Sequence, residues 1–150
     1  MFKLYSKGCE YAIRALVFVA DEGKDQTGRF QAAEICKRAA IPEAYTRKVF
    51  QALVQGEFLS AHRGPGGGYS LTRHPTEISV LDVILAVDGE ETFDHCVMGL
   101  PGCGGDHLCP LHHIWGEAKE RMLTQLENST LHDIRETVVT RSALGNTDQD

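Results

Sequence analysis

The stretch FQAAEICKRAAIPEAYTRKVFQALVQGEFLSAHRGPGGGYSLTR, residues 30–73, decides the fold. Its first part, FQAAEICKRA from Phe30 to Ala39, predicts a short helix, and Ala40, Ile41 and Pro42 break it. A further helix is expected from about Pro42, where proline is tolerated in a first turn, to about Gln55, with a stop at Gly56. Two short helices joined by a tight turn form a helix-turn-helix, whose second helix enters the major groove of DNA. Two β-prone runs follow, Phe58 and Leu59 before the tip and Tyr69 and Leu71 after it. Between them RGPGGG supplies residues for positive backbone φ, and His62 and Arg63 stand at its base. By itself the glycine cluster reads as a plain hairpin loop; directly after a helix-turn-helix it reads as a β-wing.

Outward from this centre, Leu4 to Ala20 carries Tyr11, Ala12, Ala15, Leu16 and Val19 at helical spacing, and a polar turn, DEGKDQTG, follows. On the other side EISVLDVILAVDG, from Glu77, puts Ile78, Leu81, Val83, Ile84 and Leu85 on a helix ended by Gly89, which packs on the winged-helix body. From Phe93 to about His112, Gly99, Gly102, Gly104 and Gly105 argue against regular structure. From His113 a helix of about four turns gathers Ile114, Trp115, Ala118, Met122, Leu123 and Leu126 on one face, as in a dimer seam; a helix folded back on its own core would look the same. The expected divisions are a DNA-binding region 1–76, a packing helix 77–92, a cysteine-rich loop 93–112, a dimerisation helix with C-terminal segment 113–140 and a disordered tail 141–150. The expected fold class is mainly α with a small β-wing.

With 150 residues, 42% of them hydrophobic, the chain suits one small domain with an appended helix that completes its core in an oligomer. The net charge of −6 is unevenly spread: residues 1–74 hold 11 Lys and Arg against 7 Asp and Glu, residues 75–150 hold 4 against 14. A basic N-terminal half can meet phosphates, while the acidic half is better placed away from DNA. No run is apolar enough to cross a bilayer, and Glu10 and Arg14 interrupt the N-terminal one, so a cytoplasmic protein without a membrane partner is expected. An odd count of five cysteines fits reduced thiols or metal ligands better than a disulfide framework.

Cys96, Cys103, Cys109 and His112 fall within seventeen residues, HCVMGLPGCGGDHLCPLHH including its flanks. Thiolate and imidazole on glycine-rich backbone are the donors for a soft metal ion or an iron–sulfur cluster. Spacings of C-x6-C and C-x5-C exceed the C-x2-C pairs usual in structural zinc sites, which disfavours zinc. A disulfide switch needs only two of the cysteines. Cys9 and Cys36, among apolar neighbours, read as core, and Trp115 as a core or interface anchor.

The stretches YAIRAL, IPEAYTRKVFQALVQGEFL and RGPGGGYSL, with three close cysteines ahead of a helix ending LENSTLHDI, resemble the IscR, NsrR and RirA family of dimeric winged-helix transcription regulators from about Leu4 to Ile134. The resemblance implies a homodimer on partly palindromic operator DNA, no enzymatic activity and no small-molecule substrate. It also implies an iron–sulfur cluster on Cys96, Cys103 and Cys109, with [2Fe–2S] favoured over [4Fe–4S], whose state sets DNA affinity in response to iron or cluster supply, nitric oxide or redox stress. For the fourth ligand, C-P-L-H makes His112 the nearest candidate, and members similar to IscR share the C-x2-H arrangement. In members resembling NsrR an acidic residue at the start of the first helix takes that role, which makes Glu10 the rival. His95, His107 and His113 are close in sequence but read as polar loop residues.

For DNA the expected contacts are Ala44, Tyr45, Thr46, Arg47 and Lys48 in the first turns of the third helix, with His62, Arg63, Gly64 and Gly66 in the wing. Arg47 can pair with guanine O6 and N7, or touch only phosphate; Arg63 before Gly64 suits a narrow minor groove. Several relatives carry acidic or amide side chains where Arg47 and Lys48 stand, so their operator sequence does not transfer. The alternative of another class, a zinc- or thiol-based redox protein without a DNA role, leaves the basic half and its wing without a use.

Overall fold

The computed structural model describes residues 4–22, 28–101 and 109–145. Cys103, His107, Gly102, Gly104 and Gly105 lie outside the described residues, as do residues 23–27 of the expected polar turn and residues 146–150 of the expected tail.

Helix α1 (Lys7–Glu22) starts three residues later than its apolar pattern suggests, because Ser6 caps it. The Ser6 hydroxyl accepts from the Cys9 amide at 3.1 Å, and Asp88 accepts from both the Ser6 amide and the Ser6 hydroxyl. Tyr11, Ala12, Ala15, Leu16, Val19 and Ala20 of α1 are buried and form the centre of the core. Each fully buried aliphatic side chain such as Leu16 contributes about 2 kcal/mol.

Helices α2 (Ala32–Arg38) and α3 (Glu43–Gln55) pack on this face through Ile35, Val49, Phe50 and Leu53. The turn between them is closed by Ala40, with φ of 54°, and by the Ile41 amide donating to the Cys36 carbonyl at 2.9 Å. Pro42 sits just before α3 in extended conformation rather than inside its first turn. Gly56 ends α3 for a packing reason: a Cβ there would meet the Phe58 ring at 2.6 Å.

Strands β1 (Leu59–His62) and β2 (Gly68–Leu71) form the wing, antiparallel with Leu59 opposite Leu71 and His62 opposite Gly68. At its tip the Gly67 amide donates to the Gly64 carbonyl at 2.9 Å around Pro65 and Gly66, a type II turn with Gly66 at φ 72°. Phe30 pairs with Tyr69 on the outer edge of β2, and the Gln31 side chain donates to the Gly67 carbonyl at 2.9 Å, so the wing is tied to the start of α2.

Past a 3₁₀ turn (Pro75–Glu77), α4 (Val80–Asp88) is shorter than its apolar run, and Ile78 lies before its Ser79 cap as a fully buried side chain. A second cluster of Cys9, Val80, Ile84 and Phe93 joins α1 and α4 to α5 (His112–Asn128) through Met122, Leu123 and Leu126. The segment after α5 is helical where the sequence pattern is weak: α6 (Leu131–Gly145) runs through Arg141, correcting the expected tail from that point. Its start is fixed by reciprocal bonds between Thr130 and Asp133, and by Leu131 donating to the Ile78 carbonyl at 2.8 Å. The architecture is mainly α with a two-stranded wing.

Candidate functional site

The phase of α3 decides what it offers outward. With Val49, Phe50 and Leu53 buried, the exposed positions are Glu43, Ala44, Arg47, Lys48, Gln51 and Gln55. Two of the five expected α3 contacts are half-buried. Tyr45 has its ring edge-on to Tyr11, centroids 4.8 Å apart, and the Thr46 hydroxyl lies 3.3 Å from the Cys36 thiol. Both anchor α3, and Thr46 also borders the groove between α3 and the wing. Gln51, outside the expected set, joins the exposed face; the apolar spacing of Val49, Phe50 and Leu53 carried that signal.

In the wing, Arg63, Gly64 and Gly66 are exposed at the tip. His62 is half-buried at the base, its Nε2 2.9 Å from the Ser70 hydroxyl, so it braces the two strands. Arg47, Lys48 and Arg63 thus stand on solvent-facing elements set against the same small body.

The cysteine segment forms a second site. Cys96, half-buried, follows the buried Phe93 and opens a turn in which the Gly99 amide donates to its carbonyl at 2.9 Å. On the far side the His112 amide donates to the Cys109 carbonyl at 3.0 Å, and His112 is the first residue of α5. Cys109 and His112 are both half-buried, and His113 is exposed with its ring 5.5 Å from that of His112. Lys119 of α5 donates to the Phe93 carbonyl at 3.2 Å and ties the start of the segment to the helix that follows it. Cys9, Cys36, Cys96 and Cys109 are thiols, not disulfides. Among the described residues no three cysteine, histidine or acidic side chains converge, and Cys103 lies outside them. The donor chemistry of Cys96, Cys109 and His112 nevertheless fits a soft metal centre.

Cys9 does not join that set. Burial, with the nearby Asp88 charge adding to it, pushes its thiol up to about 12, so it packs as a neutral apolar side chain. Glu10, the rival fourth ligand, is held between Lys7 Nζ at 3.0 Å and an Arg14 guanidinium nitrogen at 2.7 Å. Cys36 is only half-buried and bonded to Thr46, less a core residue than its neighbours suggest.

A helix-turn-helix with an outward basic face and a braced glycine wing defines a winged-helix regulator. The chain belongs to the Rrf2 family, described as iron-dependent transcriptional regulators, whose family model matches residues 5–137. It is 36% identical over 132 residues to the HTH-type transcriptional regulator IscR of Klebsiella pneumoniae (strain 342), covering 88% of this chain and 78% of that one. The same figures hold for IscR of Yersinia pestis. Among solved structures, T. potens IscR superposes with a TM-score of 0.69 at 23% identity, over 91% of this chain and 88% of the other. CymR, the global cysteine regulator of B. subtilis, gives 0.72 at 20% identity over 91% and 98%. The two structures share the fold. The protein is accordingly an IscR-like transcriptional regulator, not an enzyme. Among the described residues no helix is long and apolar enough to cross a membrane.

Proposed function

We propose that the protein is a homodimeric repressor, acting in the cytoplasm, whose affinity for double-stranded operator DNA is set by an iron–sulfur cluster on Cys96, Cys103 and Cys109 with His112 as fourth ligand. The observation that carries this reading is the Cys109–His112 turn, closed by a backbone hydrogen bond, which sets two residues with soft donor atoms one turn apart at the start of α5. A [2Fe–2S] cluster suits the set, since imidazole ligation of one iron is an established variant of that cluster. When bound, the cluster supplies a centre that iron shortage, oxidants or nitric oxide can strip or damage.

The chain's own residues relate that centre to DNA. Phe93 lies beside Cys9 of α1 in one cluster, and α1 also carries Tyr11, which packs on Tyr45 of α3. Ordering or loosening of residues 93–112 therefore acts on elements packed against the helix-turn-helix. The dimer reading is supported by α5, which buries no residue in one protomer and leaves Ile114 69% exposed; Met98 and Leu100 of the cysteine segment are exposed as well. Ala44, Arg47 and Lys48 of α3 face the major groove, and Arg63, Gly64 and Gly66 the minor groove.

Protein purified without oxygen is expected to be brown, with visible absorption lost in Cys103→Ala. Titrating operator DNA with holo, apo and nitric-oxide-treated protein should give different affinities. Colourless protein with stoichiometric zinc, or equal DNA affinity in all three states, would overturn the reading.

A further inference from the structure

Arg47 and Gln51 stand one helical turn apart on the exposed face of α3 and together line a groove of about 390 Å³ between α3 and the wing. Its floor is Phe50, Ala61 and Tyr69, with the Phe50 and Tyr69 rings in contact at 4.6 Å. Beneath Arg47, the Thr46–Cys36 contact and the Tyr45–Tyr11 pair fix the rotation of α3 about its axis. Among the described residues neither the Arg47 guanidinium nor the Gln51 amide has a hydrogen-bond partner.

From this placement we propose that Gln51 is a second base-reading residue, recognising an adenine within two base pairs of the guanine read by Arg47. The proposal rests on α3 being the operator-reading helix. A glutamine amide offers one acceptor and two donors, and matches the N6 donor and N7 acceptor of adenine in the major groove. Arginine matches the two acceptors of guanine. Four residues of helix advance about 6 Å, close to the rise of two base pairs at about 3.4 Å each, which sets the spacing. Lys48, a compact point charge on the same face, is assigned to phosphate. The half-site is thus read by a guanine-seeking and an adenine-seeking side chain in adjacent turns, with the phase of α3 fixing their order.

The test is selection of binding sites from a randomised duplex pool, followed by competition with single-base variants. Full-length protein is used in both anaerobic cluster-loaded and cluster-free preparations, and circular dichroism confirms that each variant folds. In Gln51→Ala the preference for adenine over the other bases at one position should fall by on the order of tenfold, towards none, while the guanine preference and the salt dependence stay as in wild type. Arg47→Ala should lose the guanine preference and keep that for adenine. A Gln51→Ala protein that selects the same sites as wild type, or weakens equally on every duplex, would overturn the assignment alone. A wild-type protein without base preference in either preparation would overturn both it and the operator reading of α3.

Discussion

Tyr11 of α1 and Tyr45 of α3 meet edge to face, with ring centroids 4.8 Å apart and planes inclined at 62°. Lys7 and Arg14 lie over the Tyr11 ring at 5.5 Å each, so a single aromatic side chain touches α3 and both cations that hold Glu10. Replacing either tyrosine by leucine keeps much of the apolar volume and removes the ring pair. A double-mutant cycle on Tyr11→Leu and Tyr45→Leu, read by denaturant unfolding, should give a coupling of about 1 kcal/mol. Additive effects would mean that the two rings are neighbours without being energetic partners.

The wing makes a prediction that inverts the intuition drawn from exposure. Gly64 and Gly66 have positive φ, yet a Cβ at either meets nothing within 4 Å, so Gly64→Ala costs only backbone strain of about 1 kcal/mol. At the buried Gly67 a Cβ would lie 2.4 Å from the His62 carbonyl oxygen and 2.8 Å from that of Gly64, both backbone atoms. Gly67→Ala should therefore deform the tip at a cost of about 2 kcal/mol and weaken DNA binding more than Gly64→Ala. Melting and operator affinity at fixed salt compare the two.

The helix-turn-helix and wing were legible because their boundaries are chemical. Pro42 and Gly56 punctuate the helices, GPGGG closes the hairpin, and buried positions recur at the helical period. The inward turn of Tyr45 and Thr46 was not legible, since their partners Tyr11 and Cys36 lie 34 and 10 residues away and no local period names them. Helix α6 escaped for a different reason. Leu131 is buried, but Val138 and Val139 are half exposed, so the apolar stripe is faint; the sign was the Thr130–Asp133 cap spacing. The cysteine loop announced its donors by residue type, spacing pointed to His112 as the fourth ligand, and Glu10 became its rival only through the family resemblance.

Arg63 at the wing tip is exposed and next to Gly64, which leaves it room to approach DNA closely. Arg63→Ala should weaken operator binding and reduce the slope of log affinity against log salt by about one, the signature of one lost contact to the phosphate-rich groove. Unchanged affinity and slope would remove the wing from the interface. Melting should stay within about 0.5 kcal/mol of wild type, as for other exposed substitutions.

The cap of α6 predicts an acid-sensitive helix. Backbone and hydroxyl bonds from Thr130 hold the Asp133 carboxyl below its ordinary 3.8, so its charged form is favoured by folding. A group depressed in the folded state contributes fully above its unfolded value, and that contribution is lost as pH falls through the folded one. The stability advantage of wild type over Asp133→Asn should therefore be constant above about pH 5 and shrink below 3.8. Thr130→Ala should cost about 1 kcal/mol at neutral pH. Thermal melts at pH 3 and 7 read both effects, and a pH-independent difference for Asp133→Asn would show that the cap carries no charge effect.

His112 and Glu10, the two candidates for the proposed fourth position, stand on different helices. Glu10 lies on α1 between Lys7 at 3.0 Å and Arg14 at 2.7 Å, and His112 is the first residue of α5 with its backbone tied to Cys109. Imidazole ligation also raises the reduction potential of a cluster relative to all-thiolate ligation. In anaerobic cluster-loaded protein, His112→Ala should shift the visible and electron paramagnetic resonance spectra and change the midpoint potential. Glu10→Gln should leave both close to wild type while removing the exposed ion pairs to Lys7 and Arg14. A spectrum moved by Glu10→Gln and not by His112→Ala would give the fourth position to α1 and reverse the assignment.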